Sequence, residues 1–150
     1  MFYKISRTLL VAFSLVILSF TAQANDRGTT EEAKAMCEKA AAFLVENGIE
    51  KAKEAFQAPG APWHDRDLYV FVFEPKGITV IHGAKASLVG RDLTKLRDVD
   101  GKLFLQEIIS VADKGWVDYK WQNPVSNKVE EKASYVINTG EYIVGVGAYK

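Results

Sequence analysis

The chain opens with an apolar run unlike the rest of the sequence. Leu9 to Phe20 is almost wholly hydrophobic, Lys4 and Arg7 precede it, and the small-x-small triplet Ala22-Gln23-Ala24 follows it. This order is typical of a secretory signal peptide, and the run is shorter than the roughly 20 apolar residues of a membrane span. We therefore expect cleavage after Ala24, which leaves residues 25–150 as one exported domain, periplasmic or secreted, with no membrane span.

Helical spacing follows the leader. Thr29 with Glu32 three residues later predicts a capped helix start, and Asn47-Gly48 predicts a stop or kink. Pro59-Gly60-Ala61-Pro62 ends the helical pattern. The apolar positions that carry it are Ala33, Met36, Ala40, Phe43, Leu44, Ile49, Ala52 and Phe56.

The pattern then changes to strand-like segments. Leu68–Phe73 and Ile78–His82 flank the turn Glu74-Pro75-Lys76-Gly77 and predict a β-hairpin. A long polar connection over residues 83–101 leads to a second helical pattern, Lys102–Lys114, capped by Gly115. Three further strands are predicted at Trp116–Gln122, Val129–Asn138 and Glu141–Tyr149. This order indicates an α+β domain with a five-stranded antiparallel sheet and a long N-terminal helix.

The amino-acid composition excludes several classes of protein. The 150 residues are 48% hydrophobic and 25% charged, with a formal net charge of zero, so the chain is neither disordered nor a basic nucleic-acid binder. The single cysteine, Cys37, permits no internal disulfide. We interpret it as a packed helix residue, with an intermolecular disulfide as the alternative.

Enzymatic chemistry is poorly supported. The two histidines, His64 and His82, lie far apart in the sequence, and no nucleophile pattern accompanies them. His64 with Asp65 and Asp67 could ligate a metal, but their spacing fits no metal signature. We therefore predict a non-enzymatic protein without metal or cofactor.

Aromatic and polar residues on the strands are candidates for a binding pocket. Tyr119 and Trp121 share one face of their strand, as Phe71 and Phe73 do of theirs. Lys132, within a mostly apolar strand, could recognise a carboxylate, and His82 could add a hydrogen bond. The alternatives are core aromatics, a solvated edge lysine and a loop histidine.

Taken in order, blocks covering residues 30–149 resemble a single Cache domain, the extracytoplasmic sensor module of bacterial chemoreceptors and histidine kinases. The blocks are Tyr69-Val70-Phe71-Val72-Phe73, Gly77, Ile81-His82-Gly83, Leu88-Val89-Gly90-Arg91-Asp92-Leu93, Gly101-Lys102, Gly115-Trp116-Val117-Asp118-Tyr119-Lys120-Trp121, Asn123-Pro124, Lys132-Ala133-Ser134-Tyr135-Val136 and Gly145-Val146-Gly147-Ala148-Tyr149.

The resemblance implies a PAS-like sheet and a pocket for small organic acids such as acetate, propionate or pyruvate. By position, Phe71, Tyr119 and Trp121 would wall the pocket, and His82, Lys132 and Tyr135 would be its polar contacts. Lys132 and Tyr135 differ in parity, so on a regular strand they face opposite sides. Either a bulge re-aims one of them or one lies outside the pocket.

The resemblance also implies partners. Receptors of this family continue into a transmembrane helix and a signalling module, whereas this sequence ends at Lys150. We therefore expect a ligand-binding protein that acts with a separate membrane sensor kinase, chemoreceptor or transporter. The alternative is an interaction module without a ligand whose N-terminal helix forms a homodimer or docks a partner, where Ala33, Ala40 and Ala41 would permit close approach.

Overall fold

The computed structural model describes residues 27–150, and the expected signal peptide at residues 1–24 lies outside them. The elements, in order, are helices α1 (Thr30–Asn47) and α2 (Ile49–Gln57), strands β1 (His64–Asp65), β2 (Leu68–Phe73) and β3 (Thr79–His82), a 3₁₀ turn (Ala86–Leu88), helix α3 (Phe104–Ser110), and strands β4 (Lys114–Gln122), β5 (Val129–Asn138) and β6 (Ile143–Tyr149).

Local signals explain both ends of α1. The Thr29 hydroxyl accepts the Glu32 N–H, and the Glu32 carboxylate accepts the Thr29 N–H, which confirms the predicted capping box. Gly48, with φ of +82°, separates α1 from α2 at the predicted break. A left-handed φ of this kind favours glycine.

The strands form one antiparallel sheet in the order β1-β2-β6-β5-β4, with β3 also paired to β2. β6, the last strand of the chain, therefore lies between β2 and β5 at the centre. Both pairings of β6 are continuous, from Val70↔Val146 to Phe73↔Ile143 and from Lys132↔Tyr149 to Asn138↔Ile143. The α+β class and the antiparallel sheet are confirmed, and the short strand β1 is additional.

The two faces of the sheet carry two cores. One face packs under α1 and α2 and includes Val70, Val146 and Tyr135. The opposite face packs under α3 and the connection after β3, and includes Phe71, Tyr119 and Tyr149. Alternation along each strand produces this division.

Several predicted elements differ from the structure in their bounds, among them the last strand, which begins at Ile143 instead of Glu141. The helix predicted over Lys102–Lys114 is confined to Phe104–Ser110, because Lys114 and Gly115 pair with Ile137 and Val136 and extend β4 instead. The predicted cap Gly115 is thus a strand residue. The second hairpin strand begins at Thr79, since Ile78 bridges Asp92 and the β2–β3 register shifts beside Phe73.

The alanines expected to permit helix pairing are not available for it. Ala33 and Ala40 are fully buried, and Ala41 is nearly so. All three belong to the core between α1 and the sheet. The small side chains bring the helix close to its own sheet, so a homodimer through these alanines is not supported.

Two glycines of β6 leave room on the face of the sheet that is opposite α1 and α2. A Cβ on Gly145 would overlap the Phe71 ring, and a Cβ on Gly147 would overlap the Lys132 side chain and the Ser134 hydroxyl. Large side chains from neighbouring strands therefore lie across β6 where it has no side chain of its own.

We expect Gly145→Ala to destabilise the protein by about 1–3 kcal/mol, because the added methyl group must displace a buried ring in a packed core. Urea unfolding measures the change. Gly115→Ala is the matched control, since it is also a strand glycine and its nearest neighbour would lie at 4.0 Å. If the two variants are equally stable, the close approach at Gly145 does not constrain the fold.

Candidate functional site

Lys132 is the most unusual side chain of the sheet, a lysine only 1% exposed. It starts on β5 and crosses β6 at Gly147. Its Nζ donates a hydrogen bond of 2.8 Å to the Tyr69 hydroxyl on β2. The absence of a side chain at Gly147 makes this path possible.

Aromatic rings surround the ammonium group of Lys132. Its Nζ lies 4.1 Å from the centroid of the Tyr69 ring and 4.9 Å from that of Tyr149, with Phe71 and Tyr119 at 5.5 and 6.0 Å. Cation–π attraction stabilises the charge in part. None of the ion pairs formed within residues 27–150 involves Lys132. The charge therefore has no carboxylate partner at contact distance.

Burial sets the charge state of Lys132. Loss of hydration lowers the pKa of its amine from 10.5 to about 7, and the negative charge of Asp67 opposes this shift. At neutral pH the site is thus close to losing its proton. An anion placed against the amine would raise the pKa again.

A directed chain of hydrogen bonds leads away from the amine. Lys132 donates to Tyr69, the Tyr69 and Tyr149 hydroxyls lie 3.3 Å apart, and Tyr149 donates to the Gln122 carbonyl at 2.8 Å. Because the Tyr149 hydroxyl donates its proton to Gln122, it can only accept from Tyr69, so the Tyr69 hydroxyl donates to Tyr149. Burial raises the pKa of both phenols, so they remain protonated.

His82 supplies a second polar group. Its Nδ1 accepts the Lys85 N–H at 2.9 Å. Burial, with a contribution from the positive charge of Lys132, lowers its pKa to about 3. The ring is therefore neutral with its proton on Nε2, since Nδ1 acts as an acceptor. Within residues 27–150 no acceptor is bonded to that Nε2–H, which leaves a donor for a ligand.

A cavity of about 470 Å³ lies beside these groups. Tyr69, His82 and Trp121 line it, with the His82 ring 5.1 Å from Tyr69 and 6.3 Å from Trp121. Lys132 itself lines a neighbouring cavity of about 310 Å³ together with Tyr119. Tyr69 lines the larger cavity, and its hydroxyl accepts the hydrogen bond from the Lys132 ammonium. Tyr69 therefore lies between this cavity and the ammonium group.

The remaining pocket candidates hold this arrangement in place. Tyr119 stacks on Phe104 with centroids 4.7 Å apart, and its hydroxyl lies 3.0 Å from the Ser134 hydroxyl. Phe71 is 2% exposed and packs over Gly145. Both residues lie on the same sheet face as Lys132.

Tyr135 is not part of this group. The pairing of β4 with β5 is regular from Gln122↔Val129 to Lys114↔Ile137, so no bulge re-aims its side chain. Tyr135 lies on the helix-facing side, next to Trp116, with their ring centroids 5.0 Å apart. Of the six candidate residues, the structure places Phe71, His82, Tyr119, Trp121 and Lys132 on one face and Tyr135 on the other.

Several residues of the site were not predicted from the sequence. Tyr69 precedes Phe71 by two residues, and Tyr149 is the cross-strand partner of Lys132, so strand parity and register could have found both. Lys85 and Arg97 also line the cavity but lie in irregular segments, where no periodicity places a side chain.

Within residues 27–150 no cluster of His, Cys, Asp or Glu side chains has the geometry of a metal site. The ring nitrogens of His64 lie against the Ala58 and Gly83 carbonyl oxygens, at 2.9 and 2.7 Å. None of the helices in this part of the chain has the length and apolar character of a membrane span.

Comparison with known proteins identifies relatives among sensors. A family model described as single Cache domain 2 matches residues 11–150. The chain is 30% identical to the sensor histidine kinase MctS of Rhizobium johnstonii over 90 residues, which are 57% of this chain and 20% of that protein. It is 29% identical over 102 residues to the methyl-accepting chemotaxis protein McpP of Pseudomonas putida, covering 65% and 19% of the two chains. The chain thus spans about a fifth of these relatives.

Solved structures share the fold. A methyl-accepting chemotaxis protein from Vibrio parahaemolyticus superposes with a TM-score of 0.68 at 24% identity, over 79% of this chain and 86% of the other. A periplasmic sensor domain of a chemotaxis protein gives 0.63 at 29% identity, over 79% and 88%. A Cache chemosensory domain described for carboxylic acid recognition gives 0.62 at 19% identity, over 79% and 86%.

Replacing Lys132 with methionine tests the free-energy cost of the buried charge. The unfolded chain keeps the lysine proton up to a pKa of 10.5, whereas the folded protein releases it near 7. The unfolded state therefore binds more protons between these values, and the natural protein's free energy of unfolding gains roughly 1.4 kcal/mol per pH unit from Lys132 there.

Methionine has a similar volume and no charge, so we expect Lys132→Met to be more stable than the natural protein at pH 7. Its advantage should shrink as the pH rises toward about 9. Urea unfolding over a pH series measures it, with Lys128→Met, at an exposed lysine, as the control. An advantage that does not change with pH contradicts the lowered pKa.

Proposed function

The chain belongs to the single Cache domain 2 family, and we propose that it is an exported sensor domain whose ligand is a small organic carboxylate. In this proposal the ligand occupies the cavity beside Tyr69, His82 and Trp121. Its carboxylate accepts a hydrogen bond from His82 and is attracted by the charge of Lys132, which lies behind Tyr69. Single Cache domains are sensor modules rather than enzymes, and the relatives of this chain are a chemoreceptor and a sensor kinase.

The observation that carries the proposal is the unpaired buried charge of Lys132. Removing an ammonium from water is costly unless a counter-charge or several hydrogen bonds replace the lost hydration. Here the group has one hydrogen bond, to Tyr69, and aromatic faces. A carboxylate beside Tyr69 would supply the missing counter-charge at short range.

The surroundings favour an anion over a cation or a neutral ligand. The charged residues that line the cavity are Lys85, Arg97 and Lys120 against a single acid, Asp98. The Nε2–H of His82 is a donor, and the pKa of about 3 keeps the ring neutral, so it donates without competing for the proton. Trp121 and Tyr69 provide the apolar walls that a short carbon chain requires.

The proposal includes location and partners. Relatives include a periplasmic sensor domain of a chemotaxis protein, and the sequence pattern of residues 1–24 favours export, with cleavage after Ala24. We propose a periplasmic or secreted location and a membrane sensor kinase, chemoreceptor or transporter as the partner that carries the signal.

Binding is tested by thermal unfolding and calorimetry of the purified protein with acetate, propionate and pyruvate. A ligand present at a hundredfold excess over Kd should stabilise the native state by about 2.7 kcal/mol. Lys132→Met should lose this stabilisation, whereas Lys128→Met should keep it. A folded protein that no carboxylate stabilises would instead support the interaction module without a ligand.

The pH dependence of binding follows from the same amine. A carboxylate requires the protonated form of Lys132, whose pKa without ligand is about 7. The association constant should therefore be flat below pH 7, as long as the ligand stays ionised, and fall roughly tenfold per pH unit above it. Calorimetry between pH 6 and pH 9 measures the profile; a profile that stays flat through pH 9 removes the ammonium from the site.

A further inference from the structure

Two cations at the cavity have no ion-pair partner within residues 27–150. Lys85 and Arg97 both line the cavity and are exposed. Neither takes part in any of the ion pairs formed in that part of the chain. Lys120, the third cation of the lining, is bound to Asp100 at 2.9 Å.

The acid of the cavity, Asp98, forms no ion pair with these two cations. Asp98 accepts the N–H groups of Asp100 and Lys102 through Oδ1 and that of Lys120 through Oδ2, at 2.9–3.0 Å. Burial opposes ionisation of Asp98, but these three bonds outweigh it and lower its pKa. Its oxygens are thus committed to the backbone, and their role is to hold the loop over residues 98–102 against β4.

That loop gives Arg97 a defined position. The Asp98 N–H donates to the Lys102 carbonyl, and the Gly101 N–H donates to the Asp98 carbonyl, both at 3.0 Å. The Arg97 guanidinium donates through Nη1 to the Gly101 carbonyl at 2.6 Å. Within residues 27–150 its guanidinium forms no other hydrogen bond, so its other nitrogens can bind an anion. The backbone N–H of Lys85 donates to His82 Nδ1. The Lys85 ammonium is not part of that hydrogen bond.

The depth of these groups separates them into two sets. Tyr69 and His82 line the cavity and are 1% and 5% exposed, so they form the floor of the site, with Lys132 behind Tyr69. Lys85 and Arg97 are exposed and lie at its mouth. The cavity of about 470 Å³ is of the size that proteins use for ligands larger than a two-carbon acid.

From this arrangement we propose that the preferred ligand is a dicarboxylate, held by one carboxylate on the floor and by the other between Lys85 and Arg97 at the mouth. The inference rests on the proposed function, because the floor set is the carboxylate site described above. It adds a specificity determinant, because a second carboxylate can form charge pairs with Lys85 and Arg97 that a monocarboxylate cannot form.

Glutarate and its monoamide, glutaramate, separate the two carboxylates with nearly no change of size. We expect calorimetry of the purified protein to give glutarate a roughly tenfold advantage over glutaramate, since two exposed charge pairs contribute modestly each. The double variant Lys85→Gln, Arg97→Gln should lose this advantage and still bind glutaramate. Lys95→Gln, at an exposed lysine outside the cavity lining, should retain it.

Equal affinity of the natural protein for the two compounds would overturn the inference, and so would an advantage that survives in the double variant. If acetate or propionate binds and glutarate does not, the dicarboxylate is wrong while the proposed function stands. If no carboxylate binds a folded protein, the proposed function fails and the inference with it.

Discussion

The site depends on one interaction, the hydrogen bond from the buried Lys132 ammonium to the Tyr69 hydroxyl across β6. It requires β6 to be central, Gly147 to be without a side chain, and the aromatic face of the sheet to be covered by α3 and the connection after β3. A charge in such a place destabilises the native state when no ligand is present. A sensor can use this cost, because a ligand that satisfies the charge then changes the stability of the region around it.

The buried charge is also connected to the segment that leads into α1. Asp67 is fully buried and acts on Lys132 through its negative charge. It accepts the Gly28 N–H at 2.7 Å and the Asn123 amide at 3.1 Å. The charge of Lys132 therefore acts on the Asp67 carboxylate. This carboxylate binds two other parts of the chain, the segment before α1 and the β4–β5 loop.

The fold could be predicted from the sequence best where a single local rule, such as helix capping or strand alternation, determines the structure. The capping box at Thr29, the break at Gly48 and the alternation of Phe71, Tyr119 and Trp121 follow from local chemistry and strand parity, and each lies where the pattern places it. Strand parity also predicted that Lys132 and Tyr135 face opposite sides of a regular strand. The β4–β5 pairing is regular, so only Lys132 lies on the side of the pocket. The limits of α3 could not be predicted, because pairing with β5 draws Lys114 and Gly115 into β4. Lys85 and Arg97 reach the cavity through loops fixed by backbone hydrogen bonds, for which the sequence carries no period.

The role of the buried ammonium is tested by the pKa of Lys132, measured by NMR on protein labelled with ¹³C-lysine and assigned with the Lys132→Met spectrum. Without ligand we predict a value of about 7. Saturation with a bound carboxylate should raise it by more than about one unit, since a counter-charge then replaces the lost hydration. A value near 10.5 without ligand, or one that does not change on saturation, would contradict the central role of the buried ammonium.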